Sequence, residues 1–156
     1  FSSMGSYILL ASLEEGVKHL STVGLTAREF RFSRTDFLLF TFFISLGFVF
    51  AENILYFMKA WDSSIGSIVS LGIGRTFFAT TIHIFASVAC VMCWWRGLSY
   101  GVFSLQYILW IILGFTLSTL IHALYNSLMA DGHIIAVIGL FLLGYFAFTQ
   151  WLISEK

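Results

Sequence analysis

Residues 107–126 read Tyr-Ile-Leu-Trp-Ile-Ile-Leu-Gly-Phe-Thr-Leu-Ser-Thr-Leu-Ile-His-Ala-Leu-Tyr-Asn, with no Asp, Glu, Lys or Arg among them. Coiled as a helix at about 1.5 Å per residue, such a run reaches across the roughly 30 Å hydrocarbon core of a bilayer. Comparable windows flank it, and they place helices near 4–23, 37–58, 74–95, 103–129 and 133–153. The chain therefore reads as all-α, a polytopic transmembrane bundle of about five spanning helices. Between the second and third of these, Lys59 to Gly74 is rich in Ser and Gly, and either extends the third helix or lies at the interface.

Composition points the same way. Of the 156 residues, 59% are hydrophobic, 10% are charged and none is proline, whereas soluble domains carry about 25% charged residues. Eight acidic and eight basic residues cancel, which leaves no field to gather nucleic acid, so the implied surroundings are lipid. Cys90 and Cys93 lie inside an apolar run without the second pair a zinc ribbon needs, and read as small helix residues. The chain opens on Phe1 rather than Met and enters its first apolar run almost at once, so residues 1–156 read as one membrane-embedded domain lacking upstream residues. Arg28, Arg31 and Arg34 in the first loop, Arg96 in the third and Lys156 at the tail fall on one side, against Lys59 alone on the other. The excess of basic residues puts the Arg28/Arg31/Arg34 loop in the cytoplasm, with the plasma membrane the expected location.

The polar residues inside the apolar windows carry the functional information, since a charged group at mid-bilayer costs about 2.5–3.5 kcal/mol even on the gentlest scale. They are Glu14, Glu15 and Lys18 in the first helix, Glu52 and Asn53 in the second, Arg75 and His83 in the third, and His122 and Asn126 in the fourth. Glu14 and Glu15 stand four and three residues before Lys18, so one carboxylate can meet the ammonium and leave the other for chemistry. His122 and Asn126 share a helical face, as a two-donor clamp would require, and Arg75 and His83, eight apart, lie roughly on one side of their helix. A shared site in the bundle interior, leaning toward the outer leaflet, explains this set better than scattered helix-to-helix hydrogen bonds. His19 and His133, near predicted helix ends, read as water-facing.

Glu-Glu-Gly-Val-Lys at 14–18, Gly-Phe-Val-Phe-Ala-Glu-Asn-Ile-Leu-Tyr at 47–56, Arg75 with His83, and His-Ala-Leu-Tyr-Asn at 122–126 occur in an order that resembles the PrsW family of intramembrane proteases. The resemblance covers nearly all of residues 10–130. A related clan, the CAAX-processing endopeptidases and bacteriocin-immunity proteins, shares the double glutamate and the late His-x-x-x-Asn. It differs in having Arg after a wider spacing and His in the second motif, where this chain has Lys18 and Glu52. The proline associated with the third motif is missing.

The resemblance implies an endopeptidase that cuts a membrane-anchored protein, for example a single-pass substrate of the anti-sigma-factor type, on its outer side. By analogy with the CAAX-type scheme, Glu14 or Glu15 with His83 would activate water, and His122 with Asn126 would hold the oxyanion. Lys18, Asn53 and Arg75 would support them. Glu52 has no assigned role there. Metal-free glutamate chemistry is the favoured expectation; a zinc ion, if used, would sit on Glu52, His83 and His122. Two rival readings use the same residues. One is a small proton-coupled transporter or channel, and the other is a haem-binding bundle with His83 and His122 as axial ligands.

Overall fold

The computed structural model describes residues 3–26 and 33–154. Its elements are α1 (Met4–Thr26), α2 (Arg34–Lys59), α3 (Ile65–Gly74), a π-helical turn (Arg75–Ala79), α4 (Thr80–Leu98), α5 (Leu105–Ala130) and α6 (Ile134–Ser154). The protein is an all-α polytopic bundle. Phe1, Arg28 and Arg31, on which part of the sequence reading rests, lie outside the described residues.

Short polar signals set the helix ends. Ser33 caps α2 in a reciprocal capping box with Asp36, and Ser64 and Ser104 cap α3 and α5 by accepting from backbone N–H groups three residues on. α5 stops at Gly132, whose φ of +74° lets the His133 N–H reach back to the Leu128 carbonyl at 2.8 Å.

Among the described residues, four helical runs are long and apolar enough to cross a membrane: Arg34–Lys59, Ile65–Leu98, Leu105–Ala130 and Ile134–Trp151. The fifth expected span, α1, has the length, at 23 residues, but not the hydropathy. Glu14, Glu15 and Lys18 lower it. Those charges do not face outward, however: Glu15 and Lys18 are fully buried with Ala11 and Thr22, while Leu9, Leu13, Val17 and Leu20 are exposed. A helix with its charges inside and its leucines outside suits lipid and not water.

α4 is the central rod, packed against α5, α2, α1 and α6. Its closest partner is α5, brought in at Gly114, where an added Cβ would lie 2.8 Å from Cys93 Cβ and 2.9 Å from the Cys90 carbonyl oxygen. The two cysteines therefore serve as small residues at a close helix crossing. On α2, Phe37, Thr41, Ser45 and Val49 form the buried stripe, at every fourth position, and Glu52 and Asn53 continue it. Phe37 packs edge-on to Trp94 at 5.3 Å, tying α2 to α4.

The Ser- and Gly-rich stretch before residue 74 resolves as an extension of the third span, so that Ile65–Leu98 runs 34 residues. The wide turn at Arg75–Ala79 interrupts the regular α pitch, and the Thr80 hydroxyl donates to the Arg75 carbonyl at 3.4 Å. Such turns gather at functional sites. Eight residues of regular α-helix overshoot two full turns by about 80°. The wide turn takes up part of that excess and brings Arg75 and His83 to the same neighbour on α2.

Candidate active site

That neighbour is Glu52. Its Oε2 lies 2.8 Å from Arg75 Nη2 and 2.9 Å from His83 Nε2. Arg75 is steadied from two further sides: Nε donates to Asn53 Oδ1 at 2.7 Å, and the guanidinium lies over the Tyr56 ring at 3.7 Å. The helical spacing of Glu52, Asn53 and Tyr56 on α2 is what lets one arginine meet all three.

A second group forms around Glu15. This carboxylate, fully buried, is ion-paired with Lys18, accepts from His122 Nδ1 at 2.9 Å and from the Ser87 hydroxyl at 3.3 Å, and lies 3.6 Å from His19 Nε2. Of the two carboxylates open to Lys18 by spacing, the ammonium chooses Glu15. Lys18 also joins the two groups, because its Nζ donates to His83 Nδ1 at 3.2 Å. The His83 and His122 rings stand nearly edge to face with centroids 4.4 Å apart, too close to admit a haem between them.

Glu14 is the carboxylate left over. Its Oε2 is buried without a hydrogen-bond partner among the described residues and faces His122 Nε2 at 3.4 Å. Since His122 donates from Nδ1 to Glu15, a neutral ring presents a lone pair at Nε2 to the Glu14 oxygen. Two acceptors held face to face need a proton or a cation between them.

The structure thus brings together Glu14, Glu15, Lys18, Glu52, Asn53, Arg75, His83 and His122. Asn126 stands apart: no hydrogen bond joins it to this cluster among the described residues. It lines a neighbouring cavity of about 900 Å³ with Arg75, Tyr56, Tyr125, Ser67 and Ser70. The cavity meets the cluster at Arg75 and runs toward the bundle end that carries the α2–α3 and α5–α6 turns.

His19, expected near water, is instead buried beside Glu15 and 3.4 Å from the Ser118 hydroxyl. The signal for it was present in the Glu15–His19 spacing of four, on the same face as Lys18 and Thr22. Ser87, one turn after His83, gave no sign in the sequence, since a serine in an apolar helix is ordinarily helix-to-helix packing.

A family model described as PrsW family intramembrane metalloprotease matches residues 2–152. The chain belongs to the PrsW family. No curated protein and no solved structure gives a match. PrsW membership makes this bundle a membrane protease, and the description raises the question of a metal. Among the described residues, Glu14, His83 and His122 offer ligand atoms within 4.8 Å of one another, so Glu14 stands where the sequence reading had Glu52. The reason is Arg75, which draws the Glu52 carboxylate to its own side of His83. An orphaned Glu14 oxygen opposite a histidine nitrogen whose other nitrogen is held by a carboxylate suits a divalent cation, so the donor set fits. His83 is the less ready member, being held by Glu52 at one nitrogen and by Lys18 at the other.

Proposed function

We propose that this PrsW protein is an endopeptidase that hydrolyses a peptide bond of a membrane-anchored protein, with Glu14 as the group that takes the proton from the attacking water. The observation that carries the reading is the contrast between two adjacent carboxylates. Glu15 is saturated by Lys18, His122 and Ser87 and serves to position, while Glu14 keeps a buried oxygen without a hydrogen-bond partner among the described residues, beside His122. The water oxygen attacks the scissile carbonyl carbon as Glu14 accepts its proton, and that proton passes to the amine nitrogen as the carbon–nitrogen bond breaks. His122, engaged with both glutamates, belongs in this geometry to the acid–base pair. Asn126 and Arg75, which line the adjoining cavity, are the donors available to the oxyanion. In this reading the substrate backbone reaches them through that cavity, and the expected substrate is a membrane-anchored protein, for example a single-pass one of the anti-sigma-factor type.

The double glutamate and His122-x-x-x-Asn126 relate the chain to the CAAX-processing clan, and the basic end of the bundle faces the cytoplasm in the plasma membrane.

A second reading is favoured by the trio Glu14, His83 and His122, which would hold a divalent ion such as zinc. When bound, that ion would acidify a water and polarise the carbonyl. Glu15 would then orient His122 and Glu52 would orient His83.

Cleavage of a single-pass substrate in proteoliposomes tests both. Glu14→Gln is expected to lower the rate by roughly 10²–10³-fold with the protein still inserted and folded. Full activity in that variant would refute the assigned base. A strong chelator that abolishes cleavage, with zinc restoring it, selects the metal reading, and indifference to chelation selects the metal-free one.

A further inference from the structure

Tyr125 follows His122 by one turn of α5 and belongs at once to the core and to the polar cavity. Its ring packs with Val49, Ala79, Ile82 and Val137 and lies nearly parallel to Phe141, with centroids 6.4 Å apart. Only 6% of the residue is exposed, and it lines the cavity beside Asn126, Arg75 and Tyr56. A phenol buried this deeply ordinarily finds a hydrogen-bond partner. The Tyr125 hydroxyl is near enough to Arg75 and Glu52 to feel their charges, yet it makes no hydrogen bond among the described residues. Phenylalanine would fill the same core space, so packing alone does not account for the oxygen.

We infer that Tyr125 is a substrate-binding residue, whose hydroxyl donates to a backbone carbonyl of an unwound stretch of the membrane-anchored substrate lying in the cavity. The inference rests on the protease reading above and names what the cavity receives. A chain must leave its helix before one of its peptide bonds can be attacked, and in a membrane every backbone group so released needs a new partner. The cavity supplies such partners from two sides: Tyr125 and Asn126 on α5, and Ser67 and Ser70 on α3. An acyl chain would gain nothing from these groups, and an intact helix has no backbone group to offer them. The α3 wall, from Ser64 to Gly74, is about 15 Å long, room for about four or five residues of extended chain at roughly 3.3 Å each. Arg75 follows at the end of that wall and is paired with Glu52, so a chain lying along α3 leads into the catalytic cluster.

The test uses the full chain in nanodiscs and a fluorescent single-pass probe, an apolar helix of about 20 residues with a Gly- and Ser-rich outer flank. A control probe carries an Ala- and Leu-rich flank that stays helical. Binding is read in the Glu14→Gln background, apart from cleavage. The Gly- and Ser-rich probe is expected to bind about fivefold or more tightly than the helical one, and Tyr125→Phe to weaken its binding about fivefold, the worth of one hydrogen bond. Gly66→Phe sets a ring in the cavity from a position where an added Cβ meets nothing within 4 Å, and is expected to weaken binding about tenfold. Both variants are expected to keep the parent's melting temperature, since neither removes a contact within the bundle. With Glu14 restored, Tyr125→Phe is expected to raise KM about fivefold and to leave kcat within about twofold. Equal binding of the two probes, or no binding, overturns the unwound substrate. Unchanged binding and KM in Tyr125→Phe overturns the role of the hydroxyl while cleavage by the wild type upholds the protease, and a lowered melting temperature beside them assigns the oxygen to the fold. Binding that Tyr125→Phe weakens, in a wild type that never cuts, upholds the site and rejects the protease reading.

Discussion

Glu14 and Glu15 are neighbours in the chain with opposite surroundings, because a step of about 100° along a helix turns one toward Lys18 and leaves the other at the margin of the cluster. Lys18 is the residue on which the arrangement depends most. It is fully buried, it neutralises Glu15, and its second contact orders His83. Replacing it with Met keeps the stem and removes the charge, which strands a buried carboxylate and is expected to cost about 3–5 kcal/mol of stability. Pairing it with Glu15→Gln removes the stranded charge, and the double variant is expected to regain much of the lost thermal stability while remaining inactive. Unfolding in detergent followed by circular dichroism checks this. A Lys18→Met protein as stable as the wild type would show that the ammonium is dispensable to the fold.

At the scale of the element, the decisive features are the wide turn at Arg75–Ala79 and the close crossing at Gly114. The turn sets the rotation between Arg75 and His83, and the crossing sets how near α5 brings His122 to α4. Exposed helical Gly→Ala changes ordinarily stabilise by about 0.4–1 kcal/mol. At Gly114 the sign is expected to reverse, with a loss of about 1–3 kcal/mol, because the new methyl meets a backbone oxygen and a Cβ that cannot rotate away. Gly47, where an added Cβ meets nothing within 4 Å, is the control, and Gly47→Ala is expected to be neutral or better. Equal melting temperatures for the two variants would mean that the helices are not held together at Gly114.

Over the whole molecule, the bundle has two unlike ends. One carries Arg34 and Arg96; the other carries the polar cavity, the α2–α3 turn and Asp131 in the α5–α6 turn. The excess of basic residues predicts that Asp131 lies outside the cell and Arg34 inside. In a background with Cys90 and Cys93 changed to Ala, a cysteine at 131 is expected to react with an impermeant thiol reagent on intact cells, and one at position 34 only after permeabilisation. The reverse pattern would place the catalytic cavity on the cytoplasmic side and the substrate cut with it.

The sequence alone was enough for the all-α membrane bundle, the PrsW kinship and the roster of costly polar residues. Long apolar runs, and the charges that interrupt them, are local properties with a large free-energy consequence in lipid. Pairing within one helix was partly legible too, as the Lys18 spacing shows. Which of two glutamates Lys18 takes, that His122 rather than His83 contacts them, that His19 is buried and that Asn126 lines a separate cavity were decided only by the tertiary structure. Those outcomes depend on rotations of one helix against another by tens of degrees, set by a small-residue crossing and a wide turn whose effects no spacing rule within a single helix can carry.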